Sequence, residues 1–345
     1  MYKYNGESFT MNTKNYIQLT SLIAIMLLAV PASATSIYSN NISALNINML
    51  TDTFASYTHN GENLSDNFVK KTLYGTMTRF DEYGDDGTTL KNTQFIDNES
   101  DFLFKNVWAD VKHINGPAHY EHISSRARFN LVTLGVTTKS VNLKYGDIYF
   151  GAFGGYINSD FSDIDSYGNV GGVFANYKFQ KLDTTMLINI GSLNNDSNNT
   201  DFNNSWTNLG IDSSLKFNID KTFLIKPSLY IGYTYVASDD LYKSGDLVWS
   251  KDYNFLNIAP SVQFIKEIVP DWYGAFSAKY MAHFGGNNDI HIAGITKDGI
   301  NTDNYFDIGL DIDHNFQQFV FGGKIHKQIG GFDSWSASLN VKYIF

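Results

Sequence analysis

Cysteine is absent from the 345 residues, and proline occurs only five times. Without cysteine the chain forms no disulfide and holds no metal through thiolates. Long apolar runs are also scarce: beyond residue 34 no stretch approaches about 18 apolar residues, so no transmembrane helix is predicted there. The formal net charge of −10 argues against nucleic acid as a partner, because phosphate binding needs a basic field.

The one longer apolar stretch lies near the N-terminus. Lys14 precedes the apolar run 22–30, and the small residues 32–34 follow it. This order is that of a secretory signal peptide, so we predict residues 1–34 to direct Sec-type export, with Met11 as an alternative start. The run is short for a transmembrane helix, which disfavours an uncleaved anchor. Any insertion into a membrane must then use β-strands.

Aromatic residues are plentiful, and they stand in alternating runs. In the last run Trp335, Leu339 and Phe345 share one parity, whereas Ser334 and Lys342 share the other. A period of two indicates a strand with one apolar and one polar face. In a soluble sandwich the apolar face would meet a second sheet, and in an outer-membrane barrel it would meet lipid.

Twelve such runs follow one another and predict an all-β fold, a twelve-stranded antiparallel transmembrane β-barrel over residues 102–345. Carboxylates and lysines at polar positions are predicted to face a wet lumen, because a dry core would not bury such rows. The carboxylates are Asp212, Asp307 and Asp311, and the lysines include Lys226. The predicted strands are 102–114, 126–138, 145–158, 167–180, 182–194, 205–218, 222–237, 252–267, 270–285, 303–314, 316–328 and 334–345.

The predicted connections alternate in length, as short periplasmic turns and long outer loops do in membrane barrels. The short ones are 180–181, 219–221, 268–269 and a turn near 314–315, and the long ones are 115–125, 159–166, 195–204, 238–251 and 286–302. Aromatic residues near the strand ends predict an interfacial girdle. Trp206 and Trp335 would stand at the outer rim, and Trp272 and Tyr273 at the inner one.

The segment 35–101 is rich in Asn, Ser, Thr and Asp and alternates poorly. Two stretches, 42–57 and 65–82, have helical periodicity instead. An isolated helix of this length is marginal in water, so the segment is either a surface or periplasmic tail or a helix inside the barrel pore. The apolar stripe of the second stretch consists of Val69, Leu73, Met77 and Phe80.

Two loop clusters contain residues that bind metals in other proteins. We interpret both as solvated loops, because neither has the spacing of a closed zinc or calcium site. His283 has no evident serine partner, and no G-x-S-x-G motif occurs. We therefore predict no enzyme activity, no cofactor and no metal site. The loop residues concerned are His113, His119, Glu121 and His122, followed by Asp160, Asp163 and Asp165.

The order of these motifs resembles the β-domain of autotransporters, the type V secretion family. The run F-K-N-V-W-A-D-V at 104–111 is similar to its first strand, and the Gly-rich runs 146–156 and 166–177 are similar to its third and fourth. The terminal N-V-K-Y-I-F resembles its last strand. The resemblance implies that Tyr343 and Phe345 form the signal read by the outer-membrane assembly machinery, and that a helix, 65–82 or 42–57, fills the pore.

The resemblance further implies an outer-membrane translocator that passes or displays an N-terminal segment at the cell surface of a Gram-negative-type cell. Family members carry a large passenger, for which 35–101 has no room, so a separately encoded passenger is one expectation. The alternative is a stand-alone barrel that acts as an adhesin through its loops or as a small channel. The expected surroundings are outer-membrane lipid and lipopolysaccharide.

Overall fold

A computed structural model describes Leu64 and most of residues 104–345, with gaps at 121–122, 162–163, 198–199, 239–240, 244–245, 251, 286–289, 293–294, 298–303 and 331–332. The predicted signal peptide 1–34, the stretch 42–57, the stretch 65–82 and its apolar stripe lie outside the described residues. No helix among the described residues is long and apolar enough to cross a membrane.

Twelve long strands form the body of the protein, and we number them in chain order. They are β1 (Phe104–Tyr120), β2 (Ile123–Thr138), β3 (Gly146–Phe161), β4 (Ile164–Phe179), β5 (Leu182–Ser197), β6 (Thr200–Leu215), β7 (Phe223–Ser238), β8 (Tyr253–Val269), β9 (Trp272–Gly285), β10 (Tyr305–Phe316), β11 (Phe319–Gly330) and β12 (Trp335–Ile344).

Each strand pairs antiparallel with its sequence neighbours, and β12 pairs with β1, so the sheet closes into a barrel. At this seam Val111 lies opposite Leu339, and the backbone N–H of Phe345 donates to the carbonyl of Lys105 at 3.0 Å. Closure leaves no unpaired edge, the condition that a sheet must meet in lipid. The twelve-stranded antiparallel barrel predicted from the alternation is confirmed.

The two faces of the barrel differ in chemistry. On β10, Phe306 and Leu310 are 57% and 64% exposed on the outside, while the intervening Asp307 is 2% exposed on the inside. On β7, Ile231 faces outward and Thr234 is buried inside. The outer wall is therefore apolar and the interior polar, as a barrel in lipid requires.

The two ends of the barrel differ as well. At the end that we call the turn end, strands are joined by short turns, three of which hold a residue at positive φ: Gln180, Asp271 and Gln317. At the opposite, loop end the longest connections contain four short strands that pair into a separate sheet: Leu241–Lys243, Asp246–Ser250, Ile290–Ile292 and Ile295–Lys297. Two further short strands, Val141–Leu143 and Phe217–Asn218, pair with β3 and β7.

The predicted outer loops at 115–125, 159–166 and 195–204 are wrong in extent. The hairpins continue as paired strands almost to their tips, so that β1 ends at Tyr120 and β2 begins at Ile123. Side-chain alternation marks only the part of a strand with one apolar face, whereas backbone pairing continues beyond it. The turn expected near 314–315 lies instead at 317–318, because β10 extends to Phe316.

Candidate functional site in the barrel interior

A charged cluster on β10 and β11 lies at the centre of the interior. His326 Nδ1 is 2.7 Å from Asp307 Oδ1, and its Nε2 is 2.9 Å from Asp311 Oδ1. Gly309 lies opposite His326 and between the two aspartates, and a Cβ there would be 2.5 Å from the imidazole Cε1. The glycine thus makes room for the ring. An imidazole that carries both ring protons satisfies this arrangement, because ionised carboxylates only accept hydrogen bonds.

Lysines surround this cluster, and of these only Lys226 was predicted from the sequence to face the lumen. The interior cavity at this level measures about 130 Å³ and is lined by Asp212 and the His326 cluster, among others. Four aspartates and four lysines line it together with His326, so the interior here is charge-balanced rather than acidic. Lys112, Lys279 and Lys324 could have been found in the same way, because each stands at the polar, inward-facing positions of its strand. The lysines are Lys112, Lys226, Lys279 and Lys324.

A row of hydrogen-bonded amides covers another part of the interior wall, on β5 to β7. Asn189 Nδ2 donates to Asn208 Oδ1 at 3.2 Å, and Asn208 Nδ2 donates to Thr234 Oγ1 at 2.7 Å. Closer to the loop end, Asn195 Nδ2 donates to Asn204 Oδ1 at 2.7 Å. These amides are at most 2% exposed, so the row is a fixed, neutral and polar surface.

Inward-facing aromatic rings lie against glycines of neighbouring strands, which keeps bulky rings out of the lumen centre. A Cβ on Gly135 would be 2.2 Å from the Trp108 ring, and a Cβ on Gly151 would be 2.0 Å from the Phe174 ring. Glycine inside a strand permits such a close approach. The predicted girdle is corrected here, because Trp206 is buried over Gly191 and is 2% exposed.

The other girdle residues divide in the same way. Trp272 and Trp335 face outward and are 40% and 57% exposed, as an interfacial belt requires, whereas Tyr273 is buried inside at 7%. The prediction of Trp206 and Tyr273 as girdle residues is wrong because both stand at the polar parity of their strands. Nearness to a strand end therefore does not decide the face.

Leu64 is the one described residue ahead of β1, and it lies inside the barrel at the turn end. Its backbone N–H donates to Asp313 Oδ2 at 2.8 Å. Its side chain is 9% exposed and belongs to a buried apolar cluster with Leu224, Ile265 and Tyr273, near the ends of the strands that carry them. Leu64 therefore lies in the barrel interior.

The predicted assembly signal lies at the outer wall of the seam. Tyr343 and Phe345 have ring centroids 5.1 Å apart, and Tyr343 is also 5.1 Å from Phe319 on β11. The hydroxyl of Tyr343 donates to Gln318 Oε1 at 2.9 Å. The terminal rings therefore cover the joint between β12 and the β10–β11 turn.

The remaining chemical candidates form no recognisable catalytic or metal centre in the described part of the chain. His283 Nδ1 lies 2.5 Å from the amide oxygen of Asn257, and its ring is 5.8 Å from the ring of Tyr305. His113 pairs with Asn130 on the outer wall at 2.7 Å. Among described residues, no group of three or more His, Asp or Glu side chains has the geometry of a metal site.

No protein-family model matches the chain, and comparison with curated protein sequences finds no match. Solved structures do match. The transport unit of the autotransporter AIDA-I from Escherichia coli aligns with a TM-score of 0.59 at 15% identity, covering 74% of this chain and 95% of that one. The β-domain of the Bordetella autotransporter BrkA aligns with a TM-score of 0.58 at 11% identity, covering 71% and 100%.

The translocator domain of the autotransporter NalP from Neisseria meningitidis aligns with a TM-score of 0.56 at 12% identity, covering 72% of this chain and 90% of that one. At these identities the likeness shows the fold alone. The fold is the barrel of autotransporter translocator domains, as the resemblance of the sequence motifs implied, and it supports an outer-membrane setting.

Proposed function

We propose that this protein is an outer-membrane translocator barrel that displays its own N-terminal segment at the cell surface through the lumen. The observation that carries the proposal is the position of Leu64, which is bonded to Asp313 and buried inside the turn end of the barrel. A barrel that displays its own N-terminal segment through the lumen must hold chain from ahead of its first strand inside, and Leu64 is such a residue. The fold shared with autotransporter translocator domains supports the same assignment.

The mechanism that we propose is physical rather than catalytic. After Sec-type export, β12 with Tyr343 and Phe345 engages the assembly machinery, and pairing of β12 with β1 closes the sheet. The apolar outer wall then holds the barrel in lipid, while the polar interior accepts a hydrated chain. Separate encoding of a larger passenger is compatible with this scheme.

The interior wall suits the passage of a polar chain. The amide row offers neutral hydrogen-bonding groups, and the charges around His326 balance one another, so neither surface retains a chain through net charge. Asp307 and Asp311, two of the carboxylates predicted to face the lumen, already contact His326. The contact that fixes the segment is the one at Leu64, at the turn end. Of the two candidate pore-filling stretches, 42–57 is the one that fits display, because it precedes Leu64 and would span the lumen towards the loop end.

The direct test is the location of the N-terminal segment in intact cells. An epitope inserted between Ser39 and Asn40 should bind antibody without permeabilisation if the segment reaches the surface. A matched epitope in the turn 219–222 should become accessible only after permeabilisation, and one in 286–289 should be accessible throughout. An epitope at residue 39 that behaves like the turn epitope would place the segment in the periplasm and contradict the proposal.

A second candidate function, adhesion through the loops, is favoured by the small sheet at the loop end. Strands Asp246–Ser250 and Ile290–Ile292, which come from two different connections, pair with each other and give these loops a defined backbone. An ordered platform of this kind is suited to binding a partner. Deletion of 286–303 should then abolish binding to host surfaces while surface display of the epitope at residue 39 persists.

A further inference from the structure

A basic cleft opens on the outer wall near the loop end of the barrel seam. We call it the rim cleft. It measures about 610 Å³ and spans β11, β12, β1 and β2. It is lined by Asn115, Gly116, Pro117, Arg126, Lys327, Asp333 and Trp335.

The strand register brings the polar groups of the rim cleft together. Lys327 on β11 pairs with Trp335 on β12, and Trp335 pairs with Asn115 on β1. Asn115 in turn pairs with Arg128 on β2. Arg126 follows two pairs further towards the loop end, opposite Pro117 and on the same face as Arg128. Neighbouring strands are about 4.8 Å apart, so the backbones of Lys327 and Arg128 are about 14 Å apart across the seam. The long side chains of Lys327 and Arg126 both line the cleft between them.

This concentration of positive charge occurs once on the described outer wall. Among described side chains of the barrel strands, the outward-facing cations at the loop end are Arg126, Arg128 and Lys327. Elsewhere around that end the outward charges are acidic, including Asp165 and Asp196. The remaining outward cations, Lys105 and Lys266, stand at the turn end.

The side chains of the rim cleft match a phosphate ligand beside a sugar or lipid. An arginine guanidinium presents a planar fork that binds phosphate through two hydrogen bonds. Arg126 uses Nε to donate to Asn115 Oδ1 at 2.7 Å, one of its five N–H donors. The ammonium of Lys327 lies 5.4 Å from the centre of the Trp335 ring, and an exposed indole at this level is suited to the headgroup region.

Two surface carboxylates form weak ion pairs with cations of this region. Lys327 pairs with Asp333, and Arg128 lies 3.6 Å from Asp160, with both side chains about half exposed. Exposed pairs of this kind contribute at most about 1 kcal/mol. A phosphate group, which carries more charge and more acceptor oxygens, displaces them.

We propose that the rim cleft binds the phosphorylated headgroup of an outer-leaflet glycolipid of the lipopolysaccharide class, and that the bound headgroup bridges the first and last strands of the barrel. The inference rests on the outer-membrane setting with the loop end outward, which is part of the proposed function. It does not depend on whether the N-terminal segment crosses the lumen. Headgroup binding and display of the N-terminal segment can therefore be refuted independently.

The test is a titration of the folded, detergent-solubilised full chain with purified lipopolysaccharide that carries two lipid-linked phosphates, followed by native mass spectrometry. The variant Arg126→Gln/Lys327→Gln should bind about thirtyfold more weakly, because each surface cation contributes about 1 kcal/mol to binding of anionic lipid. The matched control Lys105→Gln/Lys266→Gln removes two outward cations from the turn end and should bind as the parent does. Equal weakening by both double variants would overturn the proposal.

A gain-of-binding variant makes the test independent of folding losses. Asp333→Asn removes the carboxylate that pairs with Lys327 and should strengthen binding severalfold. Lipid from which the phosphates have been removed should bind far more weakly than the parent lipid, and millimolar inorganic phosphate should not compete. Unchanged or weaker binding by Asp333→Asn, or full competition by inorganic phosphate, would refute the proposed headgroup site.

Discussion

The ring of Trp108 on β1 occupies the space where Gly135 on β2 lacks a side chain, with 2.2 Å between the ring and the position of a Cβ. Trp108 lies directly opposite Gly135 in the register and is 2% exposed. The same relationship recurs at Phe174 and Gly151. In both cases a large inward-facing ring packs over an inward-facing glycine of the neighbouring strand.

This pairing predicts that Gly135→Ala is destabilising although alanine suits strands better than glycine does. The added Cβ forces the Trp108 ring to move, and overpacking of this kind costs about 1–3 kcal/mol. Urea unfolding in lipid vesicles measures the change. Gly154→Ala is the matched control, because its Cβ would meet nothing closer than 3.9 Å and should change stability little. Equal effects of the two substitutions would contradict the steric explanation.

The two faces of β7 predict opposite tolerance of charge at adjacent positions. Leu229 is 43% exposed on the lipid-facing wall, whereas Ser228 lines the interior cavity. A lysine near the bilayer midplane on the lipid face costs about 2–4 kcal/mol. Leu229→Lys should therefore reduce folding yield in vesicles, measured by heat modifiability, much more than Ser228→Lys. Equal yields would indicate that the faces are exchanged, as a one-residue slip of register does.

The C-terminal residues are expected to be required for assembly. Removing Tyr343 to Phe345 eliminates the ring contacts beside Phe319 and the hydrogen bond from Phe345 to Lys105 at the seam. The truncated chain should remain in the periplasm and be degraded, as followed by fractionation and immunoblotting. Deletion of 286–289 is the control, because it lies far from the seam in sequence and should leave assembly intact. Normal amounts of truncated protein in the outer membrane would disprove the assignment.

The charged cluster and a surface ion pair should differ in their contribution to stability. His326→Ala removes a hydrogen bond from Asp307, which is 2% exposed, and should lower the free energy of unfolding by about 1–3 kcal/mol. Asp333→Asn breaks the exposed pair with Lys327 and should change it by less than about 1 kcal/mol. Denaturant unfolding in vesicles measures the change in unfolding free energy of each variant. Similar changes in the two variants would show that the charged cluster does not stabilise the barrel.

Much of the barrel was predictable because alternation reports directly on which face meets lipid. On β10, for example, the adjacent residues Phe306 and Asp307 already indicate which positions face outward and which face the interior. Strand ends were not predictable, since β1 and β2 stay paired beyond the alternating part, up to Tyr120 and Ile123. Partners across strands, such as Trp108 with Gly135, depend on register, which a single sequence does not encode locally.

The interior was predictable only in part for the same reason. Asp307 and Asp311 are conspicuous as carboxylates in an apolar strand, but no residue near them in sequence indicates that His326 or Lys279 lies beside them. Those side chains come from neighbouring strands and convert an expected acidic lumen into a balanced one. Leu64 was likewise inconspicuous, because its significance lies in a contact with Asp313 far along the chain.

Leu64, ahead of β1 in the chain, lies inside the barrel, and the absence of cysteine from the sequence makes this position directly measurable. Leu64→Cys is combined with Ile265→Cys, which lies in the same buried cluster, or with Lys266→Cys, which is adjacent in sequence but faces outward. A short bismaleimide is added to cells, and the shift in gel mobility is measured. We predict efficient cross-linking of the 64–265 pair and none of the 64–266 pair. Cross-linking of the outward pair alone, or of neither pair, would place Leu64 outside the barrel and contradict the account.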